Sequence, residues 1–512
     1  MQPRETSSSA AAPAALAIAL LLGVLGCSSG GSGGDAPAVD AQAALEAQVL
    51  SRTAFSPDAW TRGRMDALGV DAYLEEQLVP ASIPDPDVDA ALASYGSLDL
   101  DFFELFAQYQ ADPFAPLQEV LHAKTLRATL GRRQLEEVLV DFWFNHFSVF
   151  AADGFSNYVV GPYERDAIRP HVLGRFEDML KAVARNPVML YYLDNFLSSK
   201  EGFVFENEVR GINENYAREL MELHTLGVDG GYDQDDVIEV ARALTGWTIG
   251  PGGIADPDGF FFWDDAHDDD AKLIMNDLFI PADGNIQDGF DLFAFLAAHP
   301  NTARFLCGKL IVRFVSEEPQ PALVDRCAAS YAVSDGDLRE VMRTLLFSDE
   351  FRDPANMGTK VKRPLVFLAG LIRVTGADPT IVLPGPEQLP LLDVLVFFSG
   401  LLGESVYQAR PPTGHPDDSR FWASGGTLLG RFNLITSLVG ADTLLGIDWG
   451  VSGGTDREIV DALVARIFEN GVAASTRNAA IDHVARLGPV ADAVRVREAA
   501  TVLLASPDFM RH

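Results

Sequence analysis

The stretch NENYARELMELHTLGVDGGYDQDDVIEVARALTGW, residues 213–247, decides the fold, because it holds two helix signatures separated by a glycine turn. With successive residues about 100° apart on a helix, Tyr216, Leu220 and His224 fall on one apolar arc. Glu219 and Glu222 fall on the opposite arc. The first helix therefore has one face suited to a core and one suited to a cleft or to water.

Both helices carry signals for their ends. Asn213 is suited to cap the first helix and Gly227 to terminate it. Asp233, with Asp236 three residues later, resembles the capping box that opens a second helix. Two helices joined by a short turn form an antiparallel hairpin, so we expect one here.

The polar residues of this hairpin fit two interpretations. Arg218 and Glu222 have the spacing of an ordinary surface ion pair, which contributes only about a few tenths of a kcal/mol. Alternatively, Glu219, Glu222 and His224 are catalytic. A buried imidazole needs hydrogen-bond partners, which His224 finds either in the core or at a site.

Helical spacing recurs along the rest of the chain, from residues 41–50 to residues 494–504, and no run alternates as a half-buried strand would. We therefore expect an all-α fold, with a large multi-helix body of orthogonal or bundle-like packing. Residues 41–512 form a single large helical domain, with 41–289 and 290–512 as candidate lobes.

The helical pattern stops between residues 249 and 289, in an insert rich in Gly, Pro and Asp. Four consecutive aromatic residues, 260–263, predict a flap or short hairpin laid over the body next to Trp247. The acidic run at 264–270 lacks the ligand spacing of an EF-hand loop, which favours a solvated run of charge over a cation site.

The N-terminus has the pattern of a lipoprotein precursor. Residues 1–26 contain an apolar run too short to span a bilayer and read as a signal peptide. Val24-Leu25-Gly26-Cys27 resembles a lipobox, which predicts lipidation of Cys27 and anchoring in the cell envelope, at the outer membrane. Residues 27–40 form a flexible Gly/Ser tether. An ordinary signal with a chance cysteine is the alternative.

The charge balance excludes one class of partner. Lysine and arginine total 39 against 73 acidic residues, a net charge of −34. Nucleic acid is therefore not expected as a partner, and binding to anionic lipid is disfavoured. Membrane attachment should come from acyl chains on Cys27.

Two cysteines remain in the mature body, Cys307 and Cys327, each in a helical pattern. In an oxidising compartment they can form a disulfide between two neighbouring helices, or they can stay as two buried free thiols.

Three segments supply imidazoles that could converge. His146, His224, and His267 with the adjacent Asp268 are the candidate ligands of a divalent metal site. Their spacing matches no known metal motif.

Several motifs resemble a known family. The segments ELHTLGVDGGY at 222–232 and ARALTGW at 241–247 resemble the signature of the bacterial family called domain of unknown function 1800. The likeness covers nearly the whole mature chain, with one departure at His415, where the family's pattern commonly has an aromatic. The other segments that carry the likeness are Arg52, Phe55, FWFNHF at 142–147, YERDAIRPHVLG at 163–174, YYLDN at 191–195, His267-Asp268, the Lys309-Leu310 helix and PPTG at 411–414.

This resemblance implies an exported protein without an established activity. It also implies a partner, because members are often found beside an alkaline-phosphatase-like family called domain of unknown function 1501. We therefore expect a lipid-anchored scaffold or accessory subunit of a secreted partner. The alternative is a metal-dependent or acid/base hydrolase, acting for example on glycans, with its site at the central hairpin.

Overall fold

Helices dominate the structure, a computed structural model that describes residues 41–385, 388–468 and 471–512. The expected all-α fold is confirmed. The predicted signal peptide, the tether at 27–40 and the lipidation residue Cys27 lie outside the described residues. The α-helices are α1 (Ala41–Thr53), α2 (Ala59–Leu68), α3 (Val70–Gln77), α4 (Pro86–Leu92), α5 (Phe102–Gln108), α6 (Ala115–Leu130), α7 (Gln134–His146), α8 (Ser156–Pro162), α9 (Phe176–Arg185), α10 (Pro187–Tyr192), α11 (Glu214–Glu219), α12 (Gln234–Ala243), α13 (Gln287–Ala298), α14 (Pro300–Phe314), α15 (Pro321–Val333), α16 (Leu338–Leu346), α17 (Asp349–Arg352), α18 (Pro364–Thr375), α19 (Leu391–Leu401), α20 (Ser419–Trp422), α21 (Gly425–Gly440), α22 (Asp456–Ile467), α23 (Ala474–Arg486), α24 (Asp492–Leu504) and α25 (Pro507–Met510).

The strands of the described chain are short and pair into antiparallel hairpins. Two of the three hairpins lie within or at the edge of the predicted insert, which is therefore folded and not a bare loop. The strands are β1 (Val204–Phe205) with β2 (Glu208–Val209), β3 (Trp247–Ile249) with β4 (Phe260–Phe262), and β5 (Lys272–Ile274) with β6 (Leu278–Ile280).

The insert is held against the body by Trp247, as predicted. This indole is fully buried. The ring of Phe260, in the paired strand, lies 5.1 Å from it between centroids, and Phe290 and Phe293 of α13 lie at 5.3 and 5.5 Å. Edge-to-face contacts of this kind stabilise the packing beyond the area they bury.

The ends of the central helix pair are the predicted ones. The Asn213 side chain accepts from the Asn215 N–H at 2.8 Å, and Asp233 and Asp236 cap each other's backbone at the start of α12. Gly227 has a φ of +82°, a conformation that favours glycine, where the first helix terminates.

One feature of the first helix was not predicted. After α11 the chain continues as a π-helical turn, Leu220–Thr225, in which the Leu226 N–H donates to the Met221 carbonyl at 2.9 Å. Turns of this type are frequent at functional sites, because they change the positions of side chains along an otherwise regular helix.

Helix α18 is buried along its whole length. All 12 residues of α18 are buried. One set of its side chains, including Leu365 and Ala369, belongs to a large core formed by the preceding helices. Another set, including Phe367 and Leu371, belongs to a second core formed with α21, α22 and α24.

The hydrophobic core therefore divides at α18. The described residues from 41 onward belong to one compact unit. The candidate lobe boundary at 289/290 does not coincide with the division, because Leu306 and Leu310 of α14 and Leu345 of α16 pack into the first core.

Candidate functional site

A cleft of about 490 Å³ lies between the end of α7, the middle of α14 and the loop 411–418. Three motif segments noted in the sequence meet here: FWFNHF, the Lys309-Leu310 helix and the residues after PPTG. Phe142, Phe305 and Val312 provide apolar surface, whereas His146, Lys309 and Asp417 provide polar atoms. An apolar cleft with a few convergent polar groups is the usual form of a small-molecule site.

The loop 411–418 is fixed over α7 by a side-chain amide. Asn145 Nδ2 donates to the His415 carbonyl at 2.8 Å, and Asn145 Oδ1 accepts from the His415 N–H at 2.7 Å. Gly414 has a φ of +70°, and a Cβ there would lie 2.4 Å from the Asn145 carbonyl oxygen. Glycine is therefore required for the loop to approach the helix this closely.

Lys309 and His146 form the polar centre of the cleft. Lys309 Nζ lies 2.8 Å from His146 Nδ1, and His146 Nε2 lies 3.1 Å from the backbone carbonyl of His224. A carbonyl only accepts, so Nε2 carries the proton and Nδ1 accepts from the lysine. Burial, with the charge of Lys309 adding to it, lowers the pKa of His146 well below its usual value and keeps this imidazole neutral.

The amine of Lys309 has a lowered pKa and no ion pair with a carboxylate of the described chain. Burial lowers its pKa to about 8, against a smaller opposite effect of Asp417. Of the carboxylates in the described chain, none forms an ion pair with it, whereas Lys360 pairs with Asp417 at 3.0 Å and Lys272 with Asp288 at 2.8 Å. A perturbed amine in a cleft is a candidate for acid–base or nucleophilic work.

The acidic group across the cleft is kept charged. Burial alone would raise the pKa of Asp417, but Lys360 and Arg313 outweigh it, so the pKa lies below its usual value. Arg363 is likewise occupied: its Nε donates to Glu404 at 2.8 Å, and it pairs with Asp141 at 3.3 Å. These groups hold one another, which leaves Lys309 as the amine available to a ligand.

The π-helical turn places His224 behind this centre. Its backbone carbonyl lies in the last turn of the helix, where carbonyls lack intrahelical partners, and it accepts from His146 instead. Its ring is fully buried, 6.2 Å from the ring of His146 between centroids, and neither ring nitrogen has a hydrogen-bond partner in the described structure. Burial lowers the pKa of His224 to about 3. His224 therefore supports the cleft through its backbone.

The other predicted metal ligands are engaged elsewhere. His267 Nδ1 lies 2.8 Å from the Thr245 carbonyl, and Nε2 lies 3.3 Å from Asp288. Both oxygens of Asp268 accept from Arg242, at 2.9 and 3.0 Å. Among the described residues, no group of three or more His, Cys, Asp or Glu is placed to hold a metal ion. The candidate set of His146, His224, His267 and Asp268 is thus not brought together as one ligand group.

The hairpin carboxylates lie outside the cleft. Glu219 and Glu222 are half-buried and are not among the residues that line it. Burial and the neighbouring Glu222 raise the pKa of Glu219. The Arg218–Glu222 surface pair expected from spacing is not formed, because Arg218 pairs with Glu214 at 3.2 Å.

Cys307 and Cys327 are joined by a disulfide in the structure, which connects α14 to α15. This is the first of the two alternatives left open by the sequence. It ties down the helix that carries Lys309, two residues after Cys307.

In the sequence Lys309 stands out only as part of a motif, and no pattern assigns a role to Asn145 or Asp417. The available signal was that several different motif segments of the family lie far apart in the chain, which suggests that they meet in the fold. Periodicity within each segment carries no information on which of them meet.

No helix in the part of the chain that the structure describes has the length and apolar character needed to cross a bilayer. No curated protein and no solved structure matches the chain. The family described as protein of unknown function (DUF1800) matches residues 48–511, nearly the entire body that contains the cleft. The chain belongs to this family.

Proposed function

We propose that the chain is an exported, lipid-anchored acid–base enzyme that acts on a ligand bound in the cleft at Lys309 and His146. The observation that carries this proposal is Lys309, which lines the cleft, and whose amine is hydrogen-bonded to a neutral imidazole and lacks a carboxylate partner in the described chain. This differs from the expected scaffold in giving the protein a site of its own.

The chemistry follows from the two protonation states. With a pKa of about 8, roughly one amine in ten is neutral at pH 7 and able to accept a proton. Enzymes tune lysine to this range for general-base catalysis. Lys309 removes a proton from an attacking water and returns it to the leaving group, while His146 Nδ1 orients the amine. The reaction class is hydrolysis, and Lys309 is the catalytic residue.

A panel of nitrophenyl esters, phosphates and glycosides tests this proposal on the purified full chain. We expect turnover of one class, with Lys309→Met lowering kcat/KM by at least about a hundredfold. Lys200→Met, which alters a lysine outside the cleft, is the matched control. Full activity of Lys309→Met would reject the proposal, and loss of activity in Glu219→Gln alone would move the site to the hairpin.

The location in the envelope is part of the proposal. It is supported by the lipobox-like Cys27, the tether that follows it, and a disulfide of the kind found in oxidising compartments. We expect Cys27→Ala to leave the membrane fraction and appear in the soluble fraction. Equal amounts of variant and wild type in detergent-extracted membranes would contradict the anchor.

A second candidate function is the accessory role expected from the sequence, and an exposed apolar face favours it. Phe397 and Leu401 of α19 and Leu429 of α21 are each more than 60 % exposed, and Phe432 of α21 is 47 % exposed. Leu402 lies 2.8 Å from the position of a Cβ at Gly430, so the two helices meet here. Apolar clusters of this kind mark interaction surfaces.

The occupant we propose for this face is an alkaline-phosphatase-like secreted protein of the domain of unknown function 1501 family. The double change Phe397→Ser and Leu429→Ser should weaken binding of that purified partner by at least about tenfold in titration calorimetry. Val333→Ser, at an isolated position of α15 that is 90 % exposed, is the control. Equal affinity of both variants would reject the surface.

A further inference from the structure

We propose that Lys309 forms a covalent imine with a small aldehyde or ketone bound in the cleft, so that carbonyl compounds are a ligand class of this site. The inference rests on the proposed acid–base role of the cleft and adds to it a nucleophilic role for the same amine. Its basis is that Lys309 lines the cleft and that its Nζ lies 2.8 Å from His146 Nδ1.

Lys309 is distinguished from the other lysines by position. Lys124, Lys272 and Lys360 are buried against carboxylates, at 3.6, 2.8 and 3.0 Å. Lys362 lies over the ring of Phe509 at 4.3 Å, as Lys309 lies over the ring of Phe305 at 5.4 Å, but Lys362 does not line this cleft. Lys309 combines an amine outside any ion pair of the described chain with a place on the wall of a cleft of about 490 Å³.

The walls of the cleft suit a carbonyl compound with an apolar part. Phe142, Phe305 and Val312 lie on the same cleft as the amine. Apolar surroundings favour the neutral amine over the ammonium, and a desolvated lysine is the usual nucleophile in imine formation. The lowered pKa of Lys309 agrees with this.

The step is balanced without an oxidant or a reductant. The lone pair of Nζ forms a bond to the carbonyl carbon as the π electrons of the C=O bond move to the oxygen. One N–H proton then passes through water to that oxygen, giving a neutral carbinolamine, while the other N–H stays donated to His146 Nδ1. The hydroxyl leaves with the second amine proton as water, and a C=N double bond remains. His146 stays neutral and is a positioning residue, with its Nε2–H bonded to the His224 carbonyl.

The experiment traps the imine on the wild-type protein, so it does not depend on a variant that folds. The full chain is incubated with propionaldehyde and sodium cyanoborohydride at pH 7, and propylated lysines are located by peptide mass spectrometry. We expect Lys309 to be modified at least about ten times faster than Lys181 and Lys200, which are partly exposed, because the cleft holds the aldehyde beside Lys309 and burial lowers the pKa of this amine to about 8. Modification spread over the seven lysines with no excess at Lys309 would overturn the proposal.

Two variants sharpen the result. Lys309→Met should remove the fast-reacting site and leave modification of Lys181 and Lys200 unchanged. His146→Gln should slow trapping at Lys309 about tenfold, because the acceptor that orients the amine is lost, and it should leave modification of Lys181 and Lys200 unchanged. Trapping without any hydrolysis of the substrate panel would keep the imine and reject the proposed hydrolase. Hydrolysis that depends on Lys309, without any trapping, would reject the imine and keep the proposed hydrolase.

Discussion

The side-chain amide of Asn145 makes both hydrogen bonds that the backbone of His415 offers, one to its carbonyl at 2.8 Å and one from its N–H at 2.7 Å. The contact is with the backbone, so the side chain at position 415 is not constrained by it. The ring of His415 has a partner of its own, because its Nε2 donates to the Ser405 carbonyl at 3.0 Å.

Replacing Asn145 should therefore release this loop. We expect Asn145→Ala to lower the free energy of unfolding by about 1–3 kcal/mol, because a backbone donor and a backbone acceptor lose their partner. Hydrogen exchange at residues 411–418 should accelerate. Urea unfolding and exchange mass spectrometry measure the two effects. His415→Phe keeps both backbone bonds and loses only the bond from its ring to the Ser405 carbonyl, so it should cost less, and an equal loss in the two variants would argue against the clamp.

His224 should make the protein sensitive to acid. Its pKa of about 3 in the folded chain lies below the unfolded value of about 6.5, so the unfolded chain binds more protons between these pH values. Wild-type stability therefore falls as the pH drops through this window. His224→Phe removes the titrating ring and keeps the backbone carbonyl that His146 needs. The free energy of unfolding of the variant, measured with urea, should rise relative to that of the wild type as the pH is lowered from 7 to 4.5. A difference that stays constant over this range would contradict the prediction.

The disulfide is expected to stabilise the cleft helix. It closes a sequence separation of 20 residues, for which loop-closure entropy predicts about 3 kcal/mol. Cys307→Ser with Cys327→Ser should lower the free energy of unfolding by that amount, as should reductant on the wild type. Thiol titration of the denatured, unreduced protein should find neither cysteine free, and two reactive thiols would support the free-thiol alternative.

The parts of the structure that sequence predicted are those set by neighbours in the chain. Asn213, Asp233 and Asp236 act within three residues of themselves, and their caps were predicted correctly. Burial of Tyr216 and Leu220 followed from helical spacing. The position of the aromatic hairpin next to Trp247 could also be predicted, because Trp247 stands just before the insert that contains the hairpin.

The cleft was missed because it depends on pairs that are distant in sequence. Lys309 and His146 are 163 residues apart, and Asn145 and His415 are 270 apart. Periodicity assigns each residue to a face but does not say which faces meet. The same reason explains the dispersed metal set: Asp268 follows His267 in the sequence, yet its carboxylate turns to Arg242 while the imidazole turns to Asp288.

Lys362 is a buried lysine without a carboxylate partner in the described chain, and its burial should lower the free energy of unfolding. Lys362 is 6 % exposed, with its ammonium 4.3 Å from the centre of the Phe509 ring. No carboxylate in the described chain pairs with it. Burial, together with the charge of Arg431, lowers its pKa to about 7. The unfolded value is about 10.4, so the unfolded chain binds more protons between these two pH values, and stability rises with pH across the window.

Lys362→Met should therefore stabilise the protein at and below neutral pH, by up to about 5 kcal/mol at roughly 1.4 kcal/mol per pKa unit. The gain should shrink as the pH rises from 7 towards 10, where the wild-type amine is neutral in the folded state. Urea unfolding at pH 7, 8.5 and 10 measures it. Lys272→Met is the matched control, because Lys272 is buried against Asp288 at 2.8 Å and its loss leaves that carboxylate without its ammonium partner. We expect this control to be destabilised, and destabilisation of Lys362→Met as well at pH 7 would show that the ring of Phe509 compensates for the missing carboxylate.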